Sequence, residues 1–273
     1  MFCYVWSRST WVWAESSNPA WWFLWYARGA RKANGDRIYG AGFADTQIEI
    51  EAIKAYEIDA KLDPGLESTL ALATFIGEYG EAVENKLEEK SKEAIELLEQ
   101  ARADYGNSAD ISYRLGNKYF QLGQATGNQD LLKTALQQFE TALQLDAAHI
   151  KAMNNAAHTE LSLSLYEADD EVATRQLTAI ATKLEKLLQL DPTHGHGWYN
   201  LGLLHLELAK RNGGIDTQEL LDKGIVELVK ADALNPGLSN FDLARAYALT
   251  GSKGEMLGWL NKWLASARRN WES

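Results

Sequence analysis

The 273 residues are 46% apolar and carry a formal charge of −11, with four prolines and a single cysteine, Cys3. That composition supports a sizeable core and excludes a disulfide framework or a cysteine-based zinc site. It also argues against a nucleic-acid partner, since such binding draws on Lys and Arg neutralising phosphates.

The chain opens on MFCYVWSRSTWVWAESS, in which Arg8 and Glu15 interrupt the apolar run and no basic region precedes it. A secretory signal is therefore not expected, and a cytoplasmic location is expected over export. The longest apolar run, AWWFLWYA at 20–27, is far short of the roughly 20 residues that span a bilayer. Six of the ten tryptophans (Trp6, Trp11, Trp13, Trp21, Trp22 and Trp25) crowd this end, more than one terminal helix pair easily buries. Three readings stay open: a cap folding back on the following residues, a surface for a partner or for self-association, or a membrane-interface contact.

A period then emerges. Pro19, Pro64, Pro192 and Pro236 each follow Asn or Asp, at gaps of 45, 128 and 44 residues. The long gap accommodates two missing markers, near Gly106 in ADYGNS and near Asp146 and Ala147 in LQLDAAH. Ahead of the markers run AIKAYEIDAKLDP, AIELLEQARADYG, ALQQFETALQLDA, AIATKLEKLLQLDP and GIVELVKADALNP, with apolar residues three and four apart, as in Ala135, Phe139, Ala142 and Leu145. Such spacing places them on one helix face, and Pro after Asp or Asn stops that helix. A second stripe follows, as in ISYRLGNKYFQLG, KAMNNAAHTELSLSLY and HGWYNLGLLHLELAK, with Gly116, Ala157 and Gly202 small enough for close helix approach.

The pattern predicts helix pairs that bury their stripes by stacking on their neighbours. We expect an all-α chain, an α-solenoid of about six antiparallel helix pairs. The expected divisions are a Trp-rich segment 1–17, five repeats at 18–64, 65–106, 107–148, 149–192 and 193–236, and a terminal repeat with capping helix at 237–273. A globular helical bundle and a solenoid of another helical family are the alternatives.

In the unit at 193–236, Trp198, Leu201, Gly202, Leu228, Ala231 and Pro236 fall on the spacing of the tetratricopeptide repeat, with His205 and Gly224 replacing its usual Tyr and Ala. The unit at 107–148 matches at Leu115, Gly116, Tyr119, Ala135, Phe139 and Ala142, with Ser112 at the first aromatic. The chain therefore resembles a tetratricopeptide repeat protein over 18–270. All units but the last exceed that family's usual spacing by about 7 to 11 residues, with polar tips such as QATGNQD and RNGGIDTQE. The last, with Leu243, Ala244, Tyr247, Met256, Leu260 and Trp263, has no insertion and suits a terminal cap.

The resemblance implies that the first helix of each pair lines a concave face. The residues then pointing inward are Tyr113, Arg114 and Asn117; Asn154, Asn155 and His158; Tyr199, Asn200 and Leu203; and Phe241, Asp242 and Arg245. Asparagine is a poor mid-helix residue on propensity, and its amide offers donor and acceptor to an extended peptide. We expect Asn155 and Asn200 to hold a peptide backbone and Tyr113, Tyr199 and Phe241 to pack its side chains. The alternative is that these groups are solvated or satisfied between repeats. Arg114 and Arg245 weakly suggest a carboxylate clamp, without the Lys and Asn that such a clamp needs in successive repeats.

No GxxxxGK[ST], HExxH, GxSxG or CxxC occurs, and no strand is predicted. His194 and His196 straddle a helix start within reach of one metal, with His158 or Asp191 as a third ligand, but linker histidines are the default reading. His205 is expected in a packed position. The sequence thus points to a non-catalytic scaffold for a protein or peptide partner, with neither cofactor nor metal. Self-association through the Trp-rich start and, more remotely, a metal-dependent enzyme are the alternatives.

Overall fold

A computed structural model describes residues 65–82, 86–212 and 216–272, together with Trp6, Ser7, Thr10, Trp11 and Glu57. The expected first unit at 18–64 and the tryptophan readings of the chain start lie outside the described residues, apart from those few positions.

Ten helices run α1 Leu66–Ala82, α2 Leu87–Tyr105, α3 Ala109–Thr126, α4 Gln129–Leu145, α5 Ile150–Ser164, α6 Asp170–Leu190, α7 Gly195–Asn212, α8 Thr217–Leu234, α9 Asn240–Leu249 and α10 Lys253–Glu272 among the described residues. They pack as successive pairs, and each second helix also packs on the first helix of the next pair. The chain is all-α as expected, save for a two-residue antiparallel pairing of β1 Trp6–Ser7 with β2 Thr10–Trp11.

Helices α3 to α7 begin where a side chain satisfies backbone N–H groups left over at the helix start. Ser108 accepts from Ile111 N at 3.2 Å, Asn128 from Asp130 N at 2.9 Å and Asp169 from Glu171 N at 2.9 Å. The turns at 146–149 and 191–194 are built alike although one lacks proline. Asp146 Oδ1 accepts from Ala148 N and Asp191 Oδ1 from Thr193 N, both at 3.0 Å. Three residues after each aspartate a histidine caps the next helix: His149 Nδ1 accepts from Ala152 N and His194 Nδ1 from Gly197 N. At the other end of the pair, QATGNQD closes in two residues, Gly127 in the left-handed region (φ 64°) and the cap Asn128. The extra length per unit therefore goes into the helices, of 15 to 21 residues in α3 to α8, against 10 in α9.

The core passes from unit to unit without interruption. Leu161 of α5, Leu184 and Leu187 of α6, and Leu201 and Leu204 of α7 form one buried cluster. Another joins Leu206 of α7, Ile225 and Leu228 of α8, and Leu243 of α9. Each fully buried Leu or Phe contributes about 1.5–3 kcal/mol, shared across the junction rather than kept within a pair. The first helices also touch one another, α1 with α3, α3 with α5 and α5 with α7. No two second helices approach each other as closely among the described residues.

Candidate peptide-binding face

The inward residues of α3, α5, α7 and α9 are tied to one another in a regular way. Arg114 Nη1 donates to Thr74 Oγ1 of α1. Asn155 Nδ2 donates to Asn117 Oδ1 of α3 at 2.7 Å, and Asn200 Nδ2 to Asn154 Oδ1 of α5 at 3.0 Å. Asp242 Oδ2 accepts from Tyr199 Oη of α7 at 2.8 Å. Arg114, Asn155, Asn200 and Asp242 occupy the same position in successive first helices, and each reaches back one repeat.

The asparagines form a continuous directed chain, because Asn154 Nδ2 also donates to Asn155 Oδ1 at 3.0 Å. Amide hydrogen bonds therefore run from Asn200 through Asn154 and Asn155 to Asn117. Along such a chain each bond polarises the next. Asn200 and Asn154 are only 2% and 6% exposed, so the upper end of the chain lies beneath the surface. Asn117, at the lower end, is half-buried and accepts from Asn155, while its own N–H pair meets no acceptor among the described residues.

The aromatic members flank this chain. Tyr113 packs between Phe139 and His149, its ring centroid 4.9 Å from that of His149. Burial, followed by the negative charge of Asp242, raises the Tyr199 phenol above its ordinary range and keeps it a donor. His158 packs on Phe120 at 5.0 Å between centroids, and burial, with a smaller contribution from His196, lowers its pKa to about 4. It is a neutral imidazole at pH 7. Phe241 is 49% exposed and packs on Trp263 of α10. Arg245 is exposed and pairs with Asp242 at 3.3 Å. Both arginines considered for a carboxylate clamp thus already have partners in the chain.

The remaining histidines serve the scaffold. His194 and His196 lie 6.4 Å apart between ring centroids, and burial holds His194 below its usual pKa although Asp191 opposes this. Among the described residues no group of three or more His, Cys, Asp or Glu side chains is placed to hold a metal ion. His205 sits between α7 and α8, with Nδ1 2.6 Å from Glu227 Oε2. No described helix is long and apolar enough to cross a membrane.

Sequence reasoning singled out this strip of residues but missed how they bond to one another. The 41-, 45- and 42-residue intervals separating Arg114, Asn155, Asn200 and Asp242 carried that signal. Reasoning also missed Arg211. This side chain donates to Ser164 O and Glu167 O at the end of α5, to Asp170 of α6 and to Glu207 of its own helix. The polar tip around it gave no hint of that role.

No protein-family model matches the chain, and no curated protein matches it in sequence. Solved structures do. A thermophilic tetratricopeptide repeat protein from Thermus thermophilus superposes with a TM-score of 0.60 at 19% identity, over 76% of this chain and 94% of that one. A tetratricopeptide repeat protein from Parabacteroides merdae gives 0.55 at 13% identity, over 82% and 75%. IFIT1, as a monomeric mutant with m7Gppp-AAAA, gives 0.58 at 18% identity, over 90% of this chain and 58% of that one. Agreement with these structures at such low identity concerns the backbone arrangement. The chain has the tetratricopeptide repeat fold.

Proposed function

We propose that the protein is a non-catalytic scaffold that binds an extended segment of a partner protein across the inner face of α3, α5, α7 and α9. The observation that carries this reading is the asparagine chain ending on the half-buried Asn117, whose N–H pair has no acceptor among the described residues and suits a peptide carbonyl. Tyr113, Arg114, Asn117, Asn155, His158 and Tyr199 form a half-buried floor, while Phe241 and Arg245 present the most surface at one end. Asn154 and Asn200 belong to the same site from beneath, where they fix the orientation of the amides above them. A floor of amides and aromatic rings with a single guanidinium suits backbone recognition with modest side-chain selectivity.

The test compares Asn117→Ala with Asn117→Asp in capture of partner chains from native lysate, with helicity followed by circular dichroism. Loss of the same captured chains with Asn117→Ala, and with Asn117→Asp, which cannot donate, is the expected result. Capture unchanged in both, with the fold intact, would overturn the groove reading.

A further inference from the structure

The outer side of α10 repeats a surface that is covered in every earlier unit where it can be compared. Leu257 and Leu264 directly follow Met256 and Trp263 in the repeat pattern. At the second of these places α2 and α8 have the polar Arg102 and Asp232 and α4 and α6 have Leu143 and Leu188; at the first, α2 has Ile95, α4 Leu136, α6 Ala181 and α8 Ile225. The apolar ones pack toward the first helix of the next unit: Leu188 clusters with Leu201 and Leu204 of α7, and Ile225 with Leu243 and Ala246 of α9. In α10 the two leucines are 44% and 41% exposed, with Trp263 and Phe241 exposed beside them. α10 thus keeps apolar residues that elsewhere receive a helix.

The charge of α10 narrows what that helix is. Lys253, Lys262, Arg268 and Arg269 outnumber Glu255 and Glu272, giving a net +2 on a chain of net −11. We propose that α10 docks an acidic amphipathic α-helix of a partner protein. Its contact stripe carries apolar or small residues three apart, as Leu201 and Leu204 or Leu243 and Ala246 do in the equivalent internal junctions. Docking of α10 on the α10 of a second copy would bring like charges together. A narrow strip of two leucines, with Trp259 already packed on the core, favours one helix over a lipid surface.

The experiment titrates the full chain into a fluorescein-labelled synthetic helical peptide with leucines at three- and four-residue spacing and glutamates elsewhere, read by anisotropy. Its counterpart carries lysines for the glutamates. The glutamate peptide is expected to bind at least about tenfold tighter at low salt. The double variant Leu257→Glu with Leu264→Glu is expected to lose at least about tenfold, and Lys262→Glu to lose part, both with unchanged circular dichroism. Equal binding of the two peptides, or of wild type and double variant, overturns the proposal. So does self-association of the wild-type chain by sedimentation, or binding to phosphatidylserine vesicles, that the double variant abolishes, because the face would then serve a second copy or a membrane.

Discussion

Gly202 of α7 and Gly224 of α8 face each other so closely that a Cβ on either would lie 3.0 Å from the carbonyl oxygen of the other. This explains why Gly224 stands where the repeat pattern usually has Ala: its opposite number is already backbone. A methyl on Gly202 would further meet Leu228 Cγ at 2.7 Å, and Leu228 is fully buried. A methyl on Gly224 would meet the tip of Leu206, Cδ2, at 2.9 Å, a milder clash although Leu206 is buried too. Overpacking costs about 1–3 kcal/mol and the helical gain of Ala over Gly is about 1 kcal/mol. We expect both substitutions to destabilise, Gly202→Ala more than Gly224→Ala. Urea midpoints that rank the two variants in the opposite order would contradict this packing.

Arg211 joins the end of α5, the start of α6 and Glu207 of α7 through one guanidinium that is nearly buried. Lysine keeps the charge but not the fork of donors. Hydrogen bonds to charged groups are worth about 1.5–3 kcal/mol, so Arg211→Lys should cost about that much. Because the lost partners are Ser164 O and Glu167 O, hydrogen exchange should accelerate first at residues 164–170. Acceleration spread evenly over the chain would mean that Arg211 does not act at this joint.

The period of helix pairs was legible because stops and apolar stripes are local signals. The turn at Asp146 shows why the missing proline did no harm: the carboxylate and His149 reproduce the bonds made at Asp191 and His194. The strip of Tyr113, Asn117, Asn155 and Asn200 was named from what the repeat resemblance implies for the first helix of each pair. Which of them meet each other was not legible, because a contact between residues 38 or 46 apart depends on how far one repeat rotates on the next. The exposed outer leucines of α10 escaped for the same reason. Sequence marks Leu257 and Leu264 as apolar, whereas only the assembled array shows that nothing among the described residues covers them.

His158 links this geometry to pH. Its folded pKa of about 4 lies below the ordinary value of 6.5, so between these two pH values the unfolded chain binds the proton more readily. Stability is thus expected to be unaffected by this group above about pH 6.5, to fall as the pH drops toward 4, and to level off below it. The full span corresponds to about 3 kcal/mol. His158→Gln should flatten the acid limb of a plot of stability against pH, and the His158 ring carbons should titrate near pH 4 by NMR. A titration near pH 6.5 would show the imidazole to be solvated.

The asparagine chain makes a sharper demand than any single contact. Asn200→Ala removes the donor to Asn154 Oδ1, leaving a buried acceptor unpaired at a cost of about 1–3 kcal/mol. Asn117→Ala removes the final acceptor from a half-buried site where water can replace it, so its cost to stability should be smaller. Coupling should nevertheless extend beyond contact. A double-mutant cycle between Asn200 and Asn117, which share no bond, should give an interaction energy of about 0.5 kcal/mol or more if the intervening amides reorient together. Strict additivity would reduce the chain to independent pairs and would separate the buried Asn154 and Asn200 from the donor that Asn117 presents on the inner face.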